Sequence, residues 1–425
     1  MPFRLFAYLF AAIVICSTSG TCNASSFNSF AVRGVRVFDG ERTLPNVNVV
    51  VEDGRIALVG SAVRIPPGLR TIDGAGKTLL PGLIDSHVHV FPGAQRDALR
   101  FGVTTELDMF DVSRDFAAWR RQRESLSQTD EADTWGAGLG ATVNGGAPLQ
   151  DLPHGVKLPT ISSAAGAKAF VDARVREGSD YIKVFLEDLS EYAGPKRLPT
   201  LTKAEACAVI DAAHEDGRVA IVHTQQERMA LEAIDCGANA LAHMILDREL
   251  DASFLRLAKE SGIFVLTTDS VWAGAGATGI AATLASDPRV APYLSPAQKG
   301  SMLAKEDKPV RAFFANAIAN TRALHDAGVP VLAGTDAPNP ATAHGISLHE
   351  ELQLLVRAGF TPSEALSAAT SLPAEIFHLG DRGRILPGYR ADLVLVSGDP
   401  TIDISNTLSI VTIWKNGYPV RRAPR

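Results

Sequence analysis

Cysteine is scarce in this chain, with 4 residues in 425, and two of them, Cys16 and Cys22, lie within or just after the first apolar segment. The remaining pair, Cys207 and Cys236, falls in helically patterned stretches and forms no recognisable framework, so two buried thiols are expected rather than a disulfide. An excess of positive charge is missing as well. Lys and Arg number 41 against 47 Asp and Glu, a formal net charge of -6, and the short Arg114 to Arg123 stretch carries acids too. No basic footprint is left for nucleic acid, and that class of partner is excluded. Long hydrophobic runs are also lacking: Leu5 to Cys16 is too short for a comfortable membrane span. With Arg4 ahead of it and small polar residues after it up to Ala24, it reads as a signal peptide over residues 1–24. Export to the periplasm or beyond is expected, with no stable span after signal removal. A lipid anchor at Cys16 or Cys22 is the lesser reading, because bulky Ile15 and Thr21 precede those cysteines.

What is present is a composition for burial, 46% hydrophobic and 21% charged, enough for one large core and a second small one. From Phe30 to Lys77, Val/Ile-rich runs are punctuated by Asp39-Gly40 and Asp53-Gly54, a strong hairpin signal. Arg384 to Val396 and Ile410 to Val420 repeat the pattern at the far end, with Asn416-Gly417 as a turn. A small β-sandwich built from residues 25–78 and 379–425 is therefore expected.

Between these ends, over residues 79–378, apolar strand and helix alternate about eight times, as in a TIM-like (β/α)8 barrel. The expected strands are Leu83 to Val90, Thr104 to Phe110, Thr134 to Ala141, Tyr181 to Leu186, Val219 to His223, Ala240 to Met244, Ile263 to Thr268 and Val329 to Ala333. Periodicity alone also admits an open doubly wound sheet.

Leu79-Leu80-Pro81-Gly82-Leu83-Ile84-Asp85-Ser86-His87-Val88-His89 ends in two histidines one residue apart. On a strand, alternate side chains share a face, so both imidazoles can reach one metal ion. Alone, that pair reads more often as an ordinary solvated strand end. It gains meaning because Lys183, His223, His243 and Asp336 fall at the ends of four further expected strands, where barrel chemistry gathers.

With these residues in view, the chain resembles the amidohydrolase superfamily of metal-dependent hydrolases. The resemblance rests on Pro81 to His89, Asp180-Tyr181-Ile182-Lys183, Val222-His223, Ala242-His243, Gly334-Thr335-Asp336-Ala337 and Ile385 to Leu393. Their order is similar to the two-metal branch that includes Xaa-Pro dipeptidases and imidazolonepropionase-like proteins. It implies two divalent cations, zinc being the natural choice, held by His87, His89 and Asp336 and by His223 and His243. A carboxylated Lys183 would bridge them. Placed beside two dications, a lysine ammonium would be repelled and its pKa depressed, and the neutral amine can take up carbon dioxide. The alternative is an ordinary strand lysine paired with Glu187 or Asp188, with one metal on the histidines.

The expected activity is hydrolysis of an amide C–N bond in a dipeptide or N-acyl amino acid by a metal-bridging hydroxide. Asp336 would carry the proton from water to the departing amine. A helix N-cap is its competing reading. Cyclic amides, lactones or phosphoesters suit the same site, and a non-catalytic metal-binding protein is the rival of another class.

For the substrate, the resemblance to dipeptidases, in which a tyrosine and a cation after the fourth strand hold a carboxylate, implies that role for Tyr192 with Lys196 or Arg197, and His154 could contact a polarised carbonyl; a solvated loop is the plain alternative for each. His344 could shape the pocket floor or start a helix. Residues 144–159 and 269–308 read as long irregular stretches able to cover the mouth. Gly274-x-Gly276-x-x-Gly279 lacks the acidic partner and strand context of a dinucleotide site, so no such cofactor is expected. The partner is a small amide or peptide. Homo-oligomers are common among such relatives, and no residue here specifies one.

Overall fold

The computed structural model describes residues 28–112, 115–152, 156–190, 197–305 and 310–424. The expected signal peptide, His154, Tyr192 and Lys196 lie outside them.

The chain enters through β1 (Phe30–Phe38), β2 (Thr43–Glu52), β3 (Arg55–Gly60), β4 (Thr71–Asp73) and β5 (Lys77–Pro81). It then runs through eight strands: β6 (Leu83–Val88), β7 (Val103–Asp108), β8 (Asp133–Gly136), β9 (Ile182–Phe185), β10 (Ala220–His223), β11 (Ala240–Ala242), β12 (Phe264–Leu266) and β13 (Val331–Leu332). Each lies inside an expected strand or starts one residue before it, though β8 stops at Gly136, five residues short of the expected Ala141. β14 (Leu393–Ser397), β15 (Ile410–Lys415) and β16 (Tyr418–Pro419) close the chain. Of the expected extended run Arg384 to Val396, only the end from Leu393 onward is strand.

Both chain ends build one sheet in the order β16-β15-β14-β5-β1-β2-β3, with β4 beside β1. Its turns follow from their residues. Asp53-Gly54 (φ 49° and 80°) and Asn416-Gly417 (φ 53° and 79°) both adopt the left-handed conformation that a two-residue hairpin turn requires. Val32, Val35, Val37, Val49, Leu79 and Leu393 share a core with Trp414, on which Phe30 stacks at 4.8 Å. The residues that meet there stand at opposite ends of the sequence.

The middle strands pair in parallel as β6-β7-β8 and β9-β10-β11-β12-β13. Parallel bridges join the two groups at both seams, Ala141 with Val184 and Val88 with Ala337. Successive residues of a strand face opposite cores, as period 2 requires. Ile84, Ile221, Leu266 and Leu332 point to the inner cluster, while Leu83, Val222, Val265 and Val331 meet the helices. Both faces are buried, so these strands read as continuous apolar runs.

The helices have local causes. Thr202 and Glu205 form a capping box at the start of Lys203–Glu215, and Asp251 caps Ala252–Ser261 through the Ser253 and Phe254 amides. Cys207 and Cys236 are joined in a disulfide, which corrects the expectation of free thiols. Helical pattern alone did not reveal that Lys203–Glu215 packs against Glu227–Asp235 and brings the two sulfurs together. A second correction concerns residues 269–308, expected as an irregular stretch. They contain the helices Asp269–Ala275, Ile280–Ser286 and Pro296–Met302.

A buried ionic network fastens the sheet to the parallel strands. Asp133 at the start of β8 accepts from Arg382 Nε at 2.8 Å and from Lys415 Nζ at 2.9 Å, and Lys415 also reaches Asp392 at 2.7 Å. Burying such groups costs desolvation, which is offset here because each charge has a partner of opposite sign.

Candidate metal centre

At the C-terminal ends of the parallel strands, side chains from β6, β9, β10 and the segments after β11 and β13 converge. His87 Nε2 and His89 Nε2 lie 3.5 and 2.9 Å from the same oxygen of Asp336, Oδ1. Lys183 Nζ is 3.5 Å from His87 Nε2. The His243 ring sits 4.6 Å from that of His87 and 4.4 Å from that of His223. All six residues line one cavity of about 270 Å³, walled otherwise by Phe110, Pro148, Leu152, Phe185 and Asn339.

Two of the six have an unusual backbone. His243 (φ 72°) and Asp336 (φ 53°) are left-handed without being glycine, a conformation that persists only where the surroundings impose it. For Asp336 those surroundings are visible. Its amide and that of Thr335 both donate to the His87 carbonyl, at 2.7 and 3.1 Å. Asp85 accepts the His87 and Thr335 amides and the Thr335 hydroxyl. Gly334 lies so close that a Cβ there would stand 2.7 Å from His87 Cβ and 2.9 Å from the Thr267 carbonyl oxygen, so no larger residue fits.

Neighbours also orient the rings. His89 Nδ1 faces the Phe110 carbonyl at 3.3 Å, which turns Nε2 to the cavity side toward Asp336. His243 Nδ1 is 2.9 Å from Thr268 Oγ1, and His223 packs against Phe185 at 5.1 Å. Asp85, Thr335, Thr268, Phe110, Phe185 and Asn339 were not singled out from the sequence. Asp85 was within reach, since it stands two residues before His87 in the same apolar strand.

Burial governs the electrostatics. It holds His87, His223 and His243 well below the usual imidazole range, with help from the nearby Lys183 charge, so the rings are neutral. For His89 burial works in the same direction, but the hydrogen bond and charge of Asp336 raise its pKa overall. Desolvation brings Lys183 down to about 7, against the opposing pull of Asp336 and Asp108. Lone-pair imidazoles, one carboxylate and a lysine easily made neutral form a donor set that fits a divalent cation. His87, His89 and Asp336 by themselves place their ligand atoms within 4.8 Å of one another.

Lys183 does not pair with Glu187 or Asp188, contrary to the alternative reading. Glu187 accepts from the Gln225 amide and Gln226 Nε2, and Asp188 from Gln226 and Ser190. Arg197 is exposed, stands 3.9 Å from Asp188 and does not line the cavity. His344 does not line it either. It is buried between Glu106 Oε1 at 2.5 Å and the His89 carbonyl at 3.2 Å, so both ring nitrogens are engaged and none faces a substrate. The sequence placed it correctly near Asp336 but could not show that Glu106 lies behind it.

Parallel α/β strands carrying four histidines, a lysine and an aspartate at one end define the class of metal-dependent hydrolases. The chain matches the Amidohydrolase family over residues 78–420 and belongs to it, a family of hydrolases acting on carbon–nitrogen bonds. It is 29% identical over 400 residues to the imidazolonepropionase of Salinispora arenicola (strain CNS-205), covering 88% of this chain and 92% of that one. Among solved structures it is similar to a Xaa-Pro dipeptidase with bound methionine in the active site, with a TM-score of 0.74, 21% identity and coverage of 92% and 100%. It is also similar to a prolidase complexed with N-methylphosphonate-L-proline, with a TM-score of 0.73, 21% identity and coverage of 93% and 100%. At such identities the structural likeness establishes the fold.

Proposed function

We propose that the chain is an exported two-metal amidohydrolase that cleaves the amide C–N bond of a dipeptide or N-acyl amino acid. One observation carries the reading: two histidine nitrogens aimed at a single oxygen of Asp336, with Lys183 and the His223/His243 pair closing the same cavity. His87, His89 and Asp336 would hold one cation and His223 and His243 the other, with carboxylated Lys183 between them. Imidazole and carboxylate donors suit zinc. When bound, such ions polarise the scissile carbonyl and acidify the attacking water.

The chain's own residues do the rest. Asp336 takes the proton of the attacking water and delivers it to the departing nitrogen, since an amine leaves poorly unless protonated. Phe110, Phe185, Pro148 and Leu152 exclude bulk water and leave an apolar wall for the acyl or amino-acid side chain. At the level of fold, we infer that the bridged parallel strands close as a (β/α)8 barrel over residues 79–378. The sheet of β1 to β5 and β14 to β16 would then bend at β1, where pairing shifts between Val32 and Val37, to make the small sandwich expected of the two chain ends. The disulfide between Cys207 and Cys236 supports an oxidising compartment, consistent with export.

A second reading, hydrolysis of a cyclic amide, is favoured by the imidazolonepropionase relative. It also suits a cavity whose described wall includes Lys183 but no arginine or further lysine for a substrate carboxylate. Metal-reconstituted protein screened against dipeptides, N-acyl amino acids, cyclic amides, lactones and aryl phosphates separates these. Preference for linear amides, with two metal ions per chain, supports the main reading. Turnover confined to cyclic amides selects the second.

A further inference from the structure

We propose that a cavity beside Glu350, apart from the metal centre, binds a small organic amine as its ammonium ion. Glu350 lies on the helix Ile346–Arg357 and is fully buried. Neither of its carboxyl oxygens has a hydrogen-bond partner among the described residues. It lines a cavity of about 220 Å³ between its own helix, the helix Ile280–Ser286 and the turn Ile404–Leu408. A buried carboxyl without a partner is costly and rare, and one that faces a cavity asks what completes it.

The chain does not complete it. Arg289, the only cation lining the cavity among the described residues, is committed elsewhere: Nη2 and Nε bond Asp287 at 2.7 and 3.0 Å, and Nη1 reaches the Ser405 carbonyl at 3.2 Å. Burial and the like charge of Glu351, next along the helix, push the Glu350 carboxyl well above the usual carboxylate range, so it stays protonated until an opposite charge arrives and draws it into the ionised form. An alkylammonium ion brings the opposite charge and three N–H donors. Its alkyl part meets Ile280, Leu284 and Leu408, and the modest volume limits it to a few carbons.

The site also lies near the hydrolytic centre. Glu351 accepts the amides of Asp269 and Ser270, at 3.0 and 2.8 Å, at the head of the helix Asp269–Ala275. Trp272 of that helix stands 6.4 Å from the His243 ring. A ligand on Glu350 therefore acts one residue from the group that anchors this helix beside the metal centre.

Titration calorimetry of the metal-loaded full chain with n-butylammonium tests this. Saturable binding of one ion per chain is expected, weakened at least about tenfold by Glu350→Gln, which keeps the shape and removes the charge. Thr283→Phe, an exposed substitution at the rim, should obstruct the cavity to similar effect without disturbing the core. n-Butanol should bind at least about tenfold more weakly than the ammonium ion. Absence of saturable binding, equal affinity for butanol, or affinity unchanged in both variants would overturn the proposal.

Discussion

Asp85 and Thr335, 250 positions apart, are joined twice: the carboxylate accepts the threonine amide at 3.0 Å and its hydroxyl at 2.7 Å. Through the same carboxylate runs the His87 amide at 3.2 Å, so one buried acid ties the first ligand strand to the segment carrying Asp336. Further along the same segment, His344 sits between Glu106 and the His89 carbonyl. The site is thus fixed by residues that never face the cavity.

Thr335→Val keeps the shape of the side chain and deletes the hydroxyl that Asp85 accepts. Stability should fall by about 1–3 kcal/mol, as for a buried acceptor left short of a donor. Because Asp336 is held through the same segment, kcat should drop more than KM rises. Thermal unfolding together with amide-hydrolysis kinetics checks both, and an unchanged kcat would remove Thr335 from the positioning of Asp336.

Asp336→Asn should lower turnover of amides roughly 10²–10⁴-fold, the range expected for loss of a positioned proton carrier. Bound metal should be largely retained, since His87 and His89 remain. Metal analysis alongside kinetics separates the two effects, and near-normal amide turnover would refute the proton-carrying role.

Lys183→Ala should reduce metal content, and added acetate or propionate should restore part of it by supplying the missing carboxylate oxygens. Metal stoichiometry with and without these acids is the measurement. Full occupancy with no rescue would favour a single cation held by the histidines.

His349 supplies a pH dependence away from the ligands. Burial lowers its pKa from 6.5 to about 4, and its ring is held between the Phe101 carbonyl at 2.8 Å and Thr407 Oγ1 at 3.0 Å. Above pH 6.5 both folded and unfolded chains carry the neutral ring, and the contribution is complete. As pH falls toward 4 only the unfolded chain takes up the proton, so stability should decline by about 3 kcal/mol and then level off for this group. Chemical denaturation at a series of pH values should show a shallower decline for His349→Gln, and identical slopes would exclude the group as a source.

The disulfide lends itself to a direct test. Replacing Cys207 and Cys236 together by Ala should cost about 3–4 kcal/mol, the chain-entropy value for a loop with a sequence separation of 29 residues. Equal stability of the double variant and the oxidised parent would mean that the bond contributes no net stabilisation.

Strand order, the meeting of the two chain ends in one sheet, and the candidate residues His87, His89, Lys183, His223, His243 and Asp336 were legible in the sequence. Continuous apolar runs, Asp-Gly and Asn-Gly turns, and polar residues at strand ends are local signals that survive in one dimension. What only the tertiary structure decided is everything that depends on which helix or loop lies behind a residue. The Cys207–Cys236 bond, the helices within residues 269–308, the Asp85–Thr335 tie and the burial of His344 against Glu106 are of this kind. Each depends on atoms brought together by packing across many residues, and the composition of either partner alone carries no trace of it.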